Sequence, residues 1–97
     1  MKPVKLFYLK SCPYCVKALS YMDELKKREA YGSLEIEMIE ESEEPDVADR
    51  YDYYYVPTCY VDGVKVHEGA ATFEEMEAVF KKAVEQGPSP LKQLENH

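Results

Sequence analysis

The sequence has few of the residues that several functional classes require. Its 97 residues include only three cysteines and two histidines, and only 12 lysines and arginines stand against 19 aspartates and glutamates. The net charge of −7 disfavours binding to nucleic acid or to an anionic membrane, since both need clustered basic residues. The apolar run from Val4 to Leu9 is too short to span a membrane. We therefore expect neither a nucleic-acid partner nor a membrane partner.

The length of the chain suits one compact domain, which we place at residues 1–86 and which a C-terminal tail, 87–97, follows. We expect this domain to be a monomer. An odd number of cysteines is a poor disulfide framework, and the apolar run near the N-terminus is too short for a signal-peptide core. We therefore predict a cytoplasmic protein, and in that compartment a Cys-x-x-Cys motif is typical of catalysis or metal binding.

The spacing of apolar residues predicts an α/β domain with the order β-α-β-α-β-β-α. The predicted strands are Val4–Leu9, Leu34–Met38, Thr58–Val61 and 64–67, and the predicted helices are 12–29, 45–53 and a helix from Thr72 that ends at Gly87-Pro88. The first strand is nearly continuously apolar, so it should be buried on both faces. The second alternates, which predicts that its even-numbered residues point inward.

Two short motifs mark local structure in the second half of the chain. Asp62-Gly63 stands between two β-branched residues and predicts a two-residue hairpin. Thr72-Phe73-Glu74-Glu75 has the spacing of a capping box, which predicts that a helix begins after Thr72.

The motif Cys12-Pro13-Tyr14-Cys15 lies where the first strand gives way to the first helix. If Pro13 is the first helical residue, the Cys12 sulfur faces free N–H groups at the positive end of the helix, and both favour a thiolate. Lys10 adds a positive charge nearby. These features predict that Cys12 is a nucleophile, with Lys10 and Pro13 helping to stabilise its thiolate, and that Cys15, one turn inside the helix, is the resolving thiol.

Two other interpretations of the cysteine pair are a structural role, as a static disulfide or as two inert core cysteines, and a metal site. Structural zinc normally needs four ligands, and the additional candidates are Cys59 and His67, placed singly and far along the chain. An iron–sulfur cluster that bridges two subunits is the other metal-containing alternative. We expect Cys59 to be a buried core residue, His67 to lie at the surface, and no metal to be bound.

The Cys-Pro-Tyr-Cys motif resembles the active site of dithiol glutaredoxins, and Val56-Pro57-Thr58 resembles the cis-proline segment of the thioredoxin superfamily. The resemblance extends from residue 3 to about residue 86. It implies a thioredoxin-like fold, in which three helices flank a four-stranded mixed sheet of order 2-1-3-4. It also implies a cis Val56–Pro57 bond beside Cys12, with the backbone of Val56 open to an extended substrate.

The same resemblance implies a set of residues for substrate or glutathione. That set comprises Lys10, Tyr14, Tyr55, Val56, Pro57, Gly69 and Thr72. Glutathione is then a co-substrate rather than a bound cofactor, and disulfide-bearing proteins are the other partners.

The resemblance implies a thiol–disulfide oxidoreductase in which Cys12 attacks a disulfide, Cys15 resolves the mixed disulfide, and glutathione restores the dithiol. The alternative is a protein-disulfide reductase of thioredoxin type that a flavin reductase recharges. The Gly69-Ala70 turn, which is closer to that of thioredoxins, favours the alternative. A metal or iron–sulfur carrier is a third hypothesis.

Overall fold

A computed structural model describes residues 2–85, and within this range the seven predicted elements occur in the predicted order. They are β1 (Val4–Tyr8), α1 (Pro13–Lys26), β2 (Ile36–Glu40), α2 (Pro45–Ala48), β3 (Thr58–Val61), β4 (Val64–Glu68) and α3 (Phe73–Val84). The predicted helix end at Gly87-Pro88, the domain boundary after residue 86 and the tail 87–97 lie outside the described residues.

The strands form one mixed sheet of order β2-β1-β3-β4, as predicted. β1 is parallel to β2 and antiparallel to β3, and β3 and β4 form an antiparallel hairpin. Asp62 and Gly63 have φ values of 53° and 80°. Positive φ at both central residues is typical of the type I′ turn, which confirms the predicted hairpin.

Apolar residues of β1 point to both faces of the sheet, and each face carries its own core. Val4 and Leu6 pack with α1 and α3 in the larger core. Phe7 points the other way and packs with Ile39, Ala48 and Tyr60 beneath α2. This arrangement confirms that β1 is buried on both faces, and it fixes the position from which the chain continues to Cys12.

The predicted capping box is present at the start of α3. The Glu75 N–H donates to the Thr72 hydroxyl at 3.1 Å, and the Thr72 N–H donates to the Glu75 carboxylate at 2.9 Å. Both bonds are local in sequence, which is why the four-residue motif sufficed to predict them.

The prediction for β2 was wrong in position, and its inward direction for even-numbered residues is confirmed only in part, since Leu34 and Ile36 face the larger core but Met38 is exposed. The strand runs two residues further along the chain than predicted, Met38 is 39% exposed and Ile39 is fully buried. β2 is an edge strand, so the side chains on its α1 side are only partly covered. Ile39 instead points to the opposite face, where the smaller core buries it.

The second helix is shorter than predicted, because it ends at Ala48. The rings of Tyr51 and Tyr53 both pack on Phe7, with centroids 4.8 and 5.0 Å from its ring. Two residues that are two positions apart do not share a face of a helix, so this packing requires an irregular segment. There are smaller differences from the predicted ends of other elements. β1 ends one residue earlier than predicted, β4 ends one residue later, and α1 ends three residues earlier.

Candidate active site

The register of the sheet brings four strand ends to one edge. Tyr8 at the end of β1 pairs with Glu40 at the end of β2, and Thr58 at the start of β3 pairs with Glu68 at the end of β4. Thr58 also lies beside the end of β1, since β1 and β3 are paired there. The chain leaves β1 at this edge and reaches Cys12 four residues later. Two carboxylates therefore flank the edge from which α1 starts.

Cys12 occupies the N-cap position of α1 with extended backbone angles, φ −82° and ψ 121°, and Pro13 is the first helical residue. Cys12 is partly buried, and its side chain makes no capping hydrogen bond. The nearby backbone N–H groups of Cys15, foremost, and of Tyr14 nevertheless lower the pKa of Cys12 below 9.0, although burial opposes them. Oriented N–H dipoles thus favour a thiolate at this position, as predicted from the motif.

Cys15 lies one turn into α1 and has no exposed surface. Its sulfur accepts a hydrogen bond from the Leu9 N–H at 3.4 Å. Burial raises the pKa of Cys15 to about 11, and the hydrogen bond from Leu9 only partly offsets this. The two thiols therefore differ in ionisation in the direction that a nucleophile and a resolving thiol require, and these two roles stay predictions.

Lys10 lies on the exposed side of the segment between β1 and α1, where its ammonium pairs with the Glu43 carboxylate. That hydrogen bond is the main reason why the pKa of Lys10 is raised. The interactions that lower the pKa of Cys12 come from the backbone N–H groups of Cys15 and Tyr14 and from the Cys15 side chain, and Lys10 is not among them. The predicted stabilisation of the thiolate by Lys10 therefore has no counterpart in these contacts.

Glu40 is a buried carboxylate at this edge that sequence reasoning missed. It accepts hydrogen bonds from the Lys10 N–H at 2.9 Å, the Ser42 N–H at 2.7 Å, the Ser42 hydroxyl and the Glu43 N–H at 3.3 Å. The Ser42 hydroxyl, together with these N–H groups, lowers the pKa of Glu40 to about 2. Glu40 thereby joins the segment that precedes Cys12 to the loop after β2. An acidic residue that continues the inward alternation of a strand was the available signal.

We expect Glu40→Gln to lower the melting temperature at pH 7 and to have a smaller effect as the pH falls from 4.5 towards 2. An unperturbed glutamate has a pKa of 4.5, but in the fold the Glu40 carboxylate stays charged at pH values well below this. Its contribution to stability is therefore complete above pH 4.5 and is lost as the carboxylate protonates. Thermal unfolding at pH 7 and pH 3 measures this. The control is Glu37→Gln, because Glu37 is an exposed residue of the same strand, paired with Lys5. The prediction would be contradicted if the melting temperatures of the wild type and Glu40→Gln differed by the same amount at both pH values.

The Val56–Pro57 peptide bond is cis, as the resemblance implied. Pro57 is fully buried, Val56 is partly buried and Tyr55 is 70% exposed. The backbone of Tyr55 is held on both sides, because the Glu68 carboxylate accepts from its N–H at 3.0 Å and its carbonyl accepts from the Thr58 hydroxyl. Within residues 2–85 no hydrogen bond is made by the backbone of Val56. A partner chain could therefore pair with it.

The other predicted contact residues differ in accessibility. Tyr14 is 60% exposed next to Cys12. Gly69 has φ 94° and donates its N–H to the Pro57 carbonyl at 2.8 Å, so it joins the turn before α3 to the proline segment. Thr72 uses both its hydroxyl and its N–H in the capping box with Glu75. The start of α3 is therefore occupied by a carboxylate of the chain itself.

Cys59 and His67, the other residues considered for catalysis or metal binding, lie in surroundings that suit a structural role. Cys59 is buried in the larger core, as predicted, and burial raises its pKa to about 12. His67 is partly buried and contacts the carbonyls of Gly69 and Ala70 at 2.9 and 3.2 Å. In the part of the chain that the structure describes, no three His, Cys, Asp or Glu side chains are grouped so that they could hold a metal ion.

A groove of about 800 Å³ runs between α1 and β2. Leu19, Met22 and Met38 are among the side chains that line it, and neither Cys12 nor Cys15 is. Cys12, which is a partly buried residue, therefore does not line this groove. None of the helices within residues 2–85 has the length and apolar character needed to cross a membrane.

Comparisons with known proteins agree with this geometry. Residues 2–81 match the family model of the thioredoxin domain. A probable thioredoxin from Methanothermobacter thermautotrophicus is 32% identical over 73 residues, which cover 75% of this chain and 85% of that protein.

Solved structures of thioredoxins also resemble the fold. A variant of the thioredoxin from Halobacterium salinarum is similar with a TM-score of 0.67 at 21% identity, over 90% of this chain and 78% of the other. The oxidised thioredoxin of Plasmodium falciparum is similar with a TM-score of 0.67 at 17% identity, over 87% and 82% of the two chains. At these identities the likeness concerns the fold, and it confirms the predicted thioredoxin-like architecture.

Proposed function

This chain belongs to the thioredoxin domain family and is a thiol–disulfide oxidoreductase with the thioredoxin fold; on that premise we propose that it reduces disulfides of proteins rather than glutathione mixed disulfides. In this reaction the Cys12 thiolate attacks one sulfur of the substrate disulfide, and the other sulfur leaves as a thiolate. Cys15 then loses its proton and attacks the Cys12 sulfur, which releases the second substrate thiolate. Two electrons pass to the substrate, and the protein retains a Cys12–Cys15 disulfide.

One observation carries the preference for protein substrates: acidic side chains of this chain already bind two residues of the set that the resemblance implied for glutathione, Lys10 and Thr72. Glu43 pairs with the Lys10 ammonium. Glu75 accepts from the N–H of Thr72 at the start of α3. A glutathione carboxylate would have to displace these groups or lie beside like charges, which costs binding energy. A protein substrate needs neither site, because it can pair with the backbone of Val56 as an added strand.

Exposed tyrosines at the same edge support this choice. Tyr14 is 60% exposed, Tyr54 is 86% exposed and Tyr55 is 70% exposed. Tyrosine is enriched where proteins bind each other, because its ring gives a large contact area and its hydroxyl remains compatible with water. We infer a monomeric reductase of the cytoplasm that acts on protein disulfides and is recharged by a dithiol donor such as a flavin-dependent reductase.

A second candidate, glutathione-dependent reduction, draws support from the Cys-Pro-Tyr-Cys motif and from the exposure of the Lys10–Glu43 pair. The two side chains are 65% and 57% exposed, and an ion pair so exposed contributes little to stability. Glutathione could exchange with Glu43 at modest cost.

The two candidates are separated by turnover of two substrates with dithiothreitol as the common reductant. We expect kcat/KM for a protein disulfide such as insulin to exceed that for a small glutathione mixed disulfide by at least about tenfold, the equivalent of roughly 1.4 kcal/mol of preferential binding. Faster turnover of the glutathione mixed disulfide that also survives Cys15→Ser would establish the second candidate instead.

A further inference from the structure

A second carboxylate lies at the proline side of the sheet edge, on Glu68 at the end of β4. Its Oε2 accepts hydrogen bonds from the N–H of Tyr54 and, at 3.0 Å, from the N–H of Tyr55. Its Oε1 accepts from the Lys65 ammonium at 2.8 Å. Glu68 is thus the acceptor for two successive backbone N–H groups, and Lys65 balances its charge.

The hydrogen bonds of Glu68 act together with one from Thr58, the residue opposite Glu68 in the hairpin. The Thr58 hydroxyl donates to the Tyr55 carbonyl, so the N–H and the carbonyl of Tyr55 are held from two different strands. The next residue, Val56, is the one whose backbone makes no hydrogen bond within the described range. The backbone of Tyr54 and Tyr55 is therefore held by hydrogen bonds, whereas that of Val56 makes none within the described range.

We propose that Glu68 is a positioning residue for protein substrates: its carboxylate holds the backbone of Tyr54 and Tyr55 so that Val56 and the two exposed rings meet the substrate chain in a preformed arrangement. This inference rests on the proposed function, because it concerns disulfides carried by proteins. Without the carboxylate, the two N–H groups bind water and the segment must be ordered when the substrate binds. That ordering reduces affinity and leaves the chemistry at Cys12 unchanged.

The test compares Glu68→Ala with Glu77→Ala as a matched control. Glu77 lies on α3, and its side chain is 23% exposed against 21% for Glu68; each forms one ion pair, Glu77 with Arg28 at 2.9 Å. We expect Glu68→Ala to raise KM for a protein disulfide about tenfold, the usual scale for losing hydrogen bonds to a charged group, while kcat stays within about twofold. KM for a small disulfide and the rate of Cys12 alkylation should not change, and the control should have little effect.

A second variant and a second measurement make the result decisive. Glu68→Gln keeps the volume of the side chain and one oxygen acceptor, so it should raise KM by a smaller factor, about threefold; it also serves as the test variant if the alanine protein does not fold. Hydrogen exchange of the Tyr54 and Tyr55 amides should accelerate in Glu68→Ala, where those N–H groups lose their acceptor, and less in Glu68→Gln, where a neutral oxygen can still accept.

Two results would overturn the inference, and they differ in what else they affect. An unchanged KM for the protein disulfide in both Glu68 variants, with an active wild type, would overturn the positioning role alone. A wild type that does not reduce protein disulfides would overturn the proposed function, and the inference with it.

Discussion

The disulfide-reducing activity of a Cys12→Ser variant is expected to be more than about a thousandfold lower than that of the wild type, because a neutral hydroxyl replaces the only nucleophile of the first step. Cys15 cannot substitute for it, since Cys15 has no exposed surface and a pKa raised to about 11. The measurement is turnover of a protein disulfide by the purified variant, with circular dichroism to verify that it is folded.

The companion variant Cys15→Ser should stop the reaction at a different step. Cys12 still attacks the substrate, but no resolving thiol follows, so a mixed disulfide between Cys12 and the substrate accumulates. Mass spectrometry under non-reducing conditions detects it as the summed mass of the two proteins. The control is Cys59→Ala, because Cys59 is buried in the larger core and should be dispensable for the reaction. Full activity of Cys12→Ser, or no trapped species in Cys15→Ser, would refute the assignment of the two roles.

The features that the sequence predicted well are those whose causes lie within a few residues. The Asp62-Gly63 turn needs positive φ at two neighbouring positions, and the capping box of Thr72 and Glu75 joins residues three apart. Cys12 likewise lies at the helix start because Pro13 follows it. Such interactions are encoded by type and spacing alone, and so the location of the site could be predicted before the fold was known.

The features that the sequence did not reveal depend on partners far along the chain. Lys10 pairs with Glu43, which lies 33 residues later, and not with the thiolate two residues away. The N–H of Tyr54 reaches the carboxylate of Glu68, 14 residues on. Neither pair has a distinctive spacing, because the register of the sheet creates both.

The two strand-end carboxylates give part of the acidic surplus of the chain a structural role. Glu40 accepts the N–H of Lys10 on the cysteine side, and Glu68 accepts the N–H groups of Tyr54 and Tyr55 on the proline side. Each fixes one of the two irregular segments that meet at the site. A carboxylate suits this task because it accepts several hydrogen bonds at once and carries no donor that would compete. At the level of the sequence, the net charge of −7 argues only against nucleic-acid and membrane partners.

We expect Cys12 to be alkylated at least about a hundredfold faster than Cys15 and Cys59. The pKa of Cys12 is lowered from 9.0 and that of Cys15 is raised to about 11, so at pH 7 the thiolate fraction of Cys12 exceeds that of Cys15 by more than a factor of about 100. A more basic thiolate is also more nucleophilic, which reduces the resulting difference in rate by roughly tenfold. The complete burial of Cys15 more than restores the difference, because the reagent reaches it only when the helix start opens.

The experiment follows the labelling of each cysteine by iodoacetamide with peptide mass spectrometry between pH 5 and pH 10. The rate at Cys12 should rise with a midpoint below 9.0, because thiolate rather than thiol reacts. Cys59 is an internal control, since it is 1% exposed and has a pKa raised to about 12, and it should be labelled only after denaturation. Equal rates at Cys12 and Cys15 in the folded protein would mean that the N–H groups at the start of α1 do not favour the Cys12 thiolate. The proposed division into nucleophile and resolving thiol would then lose its electrostatic basis.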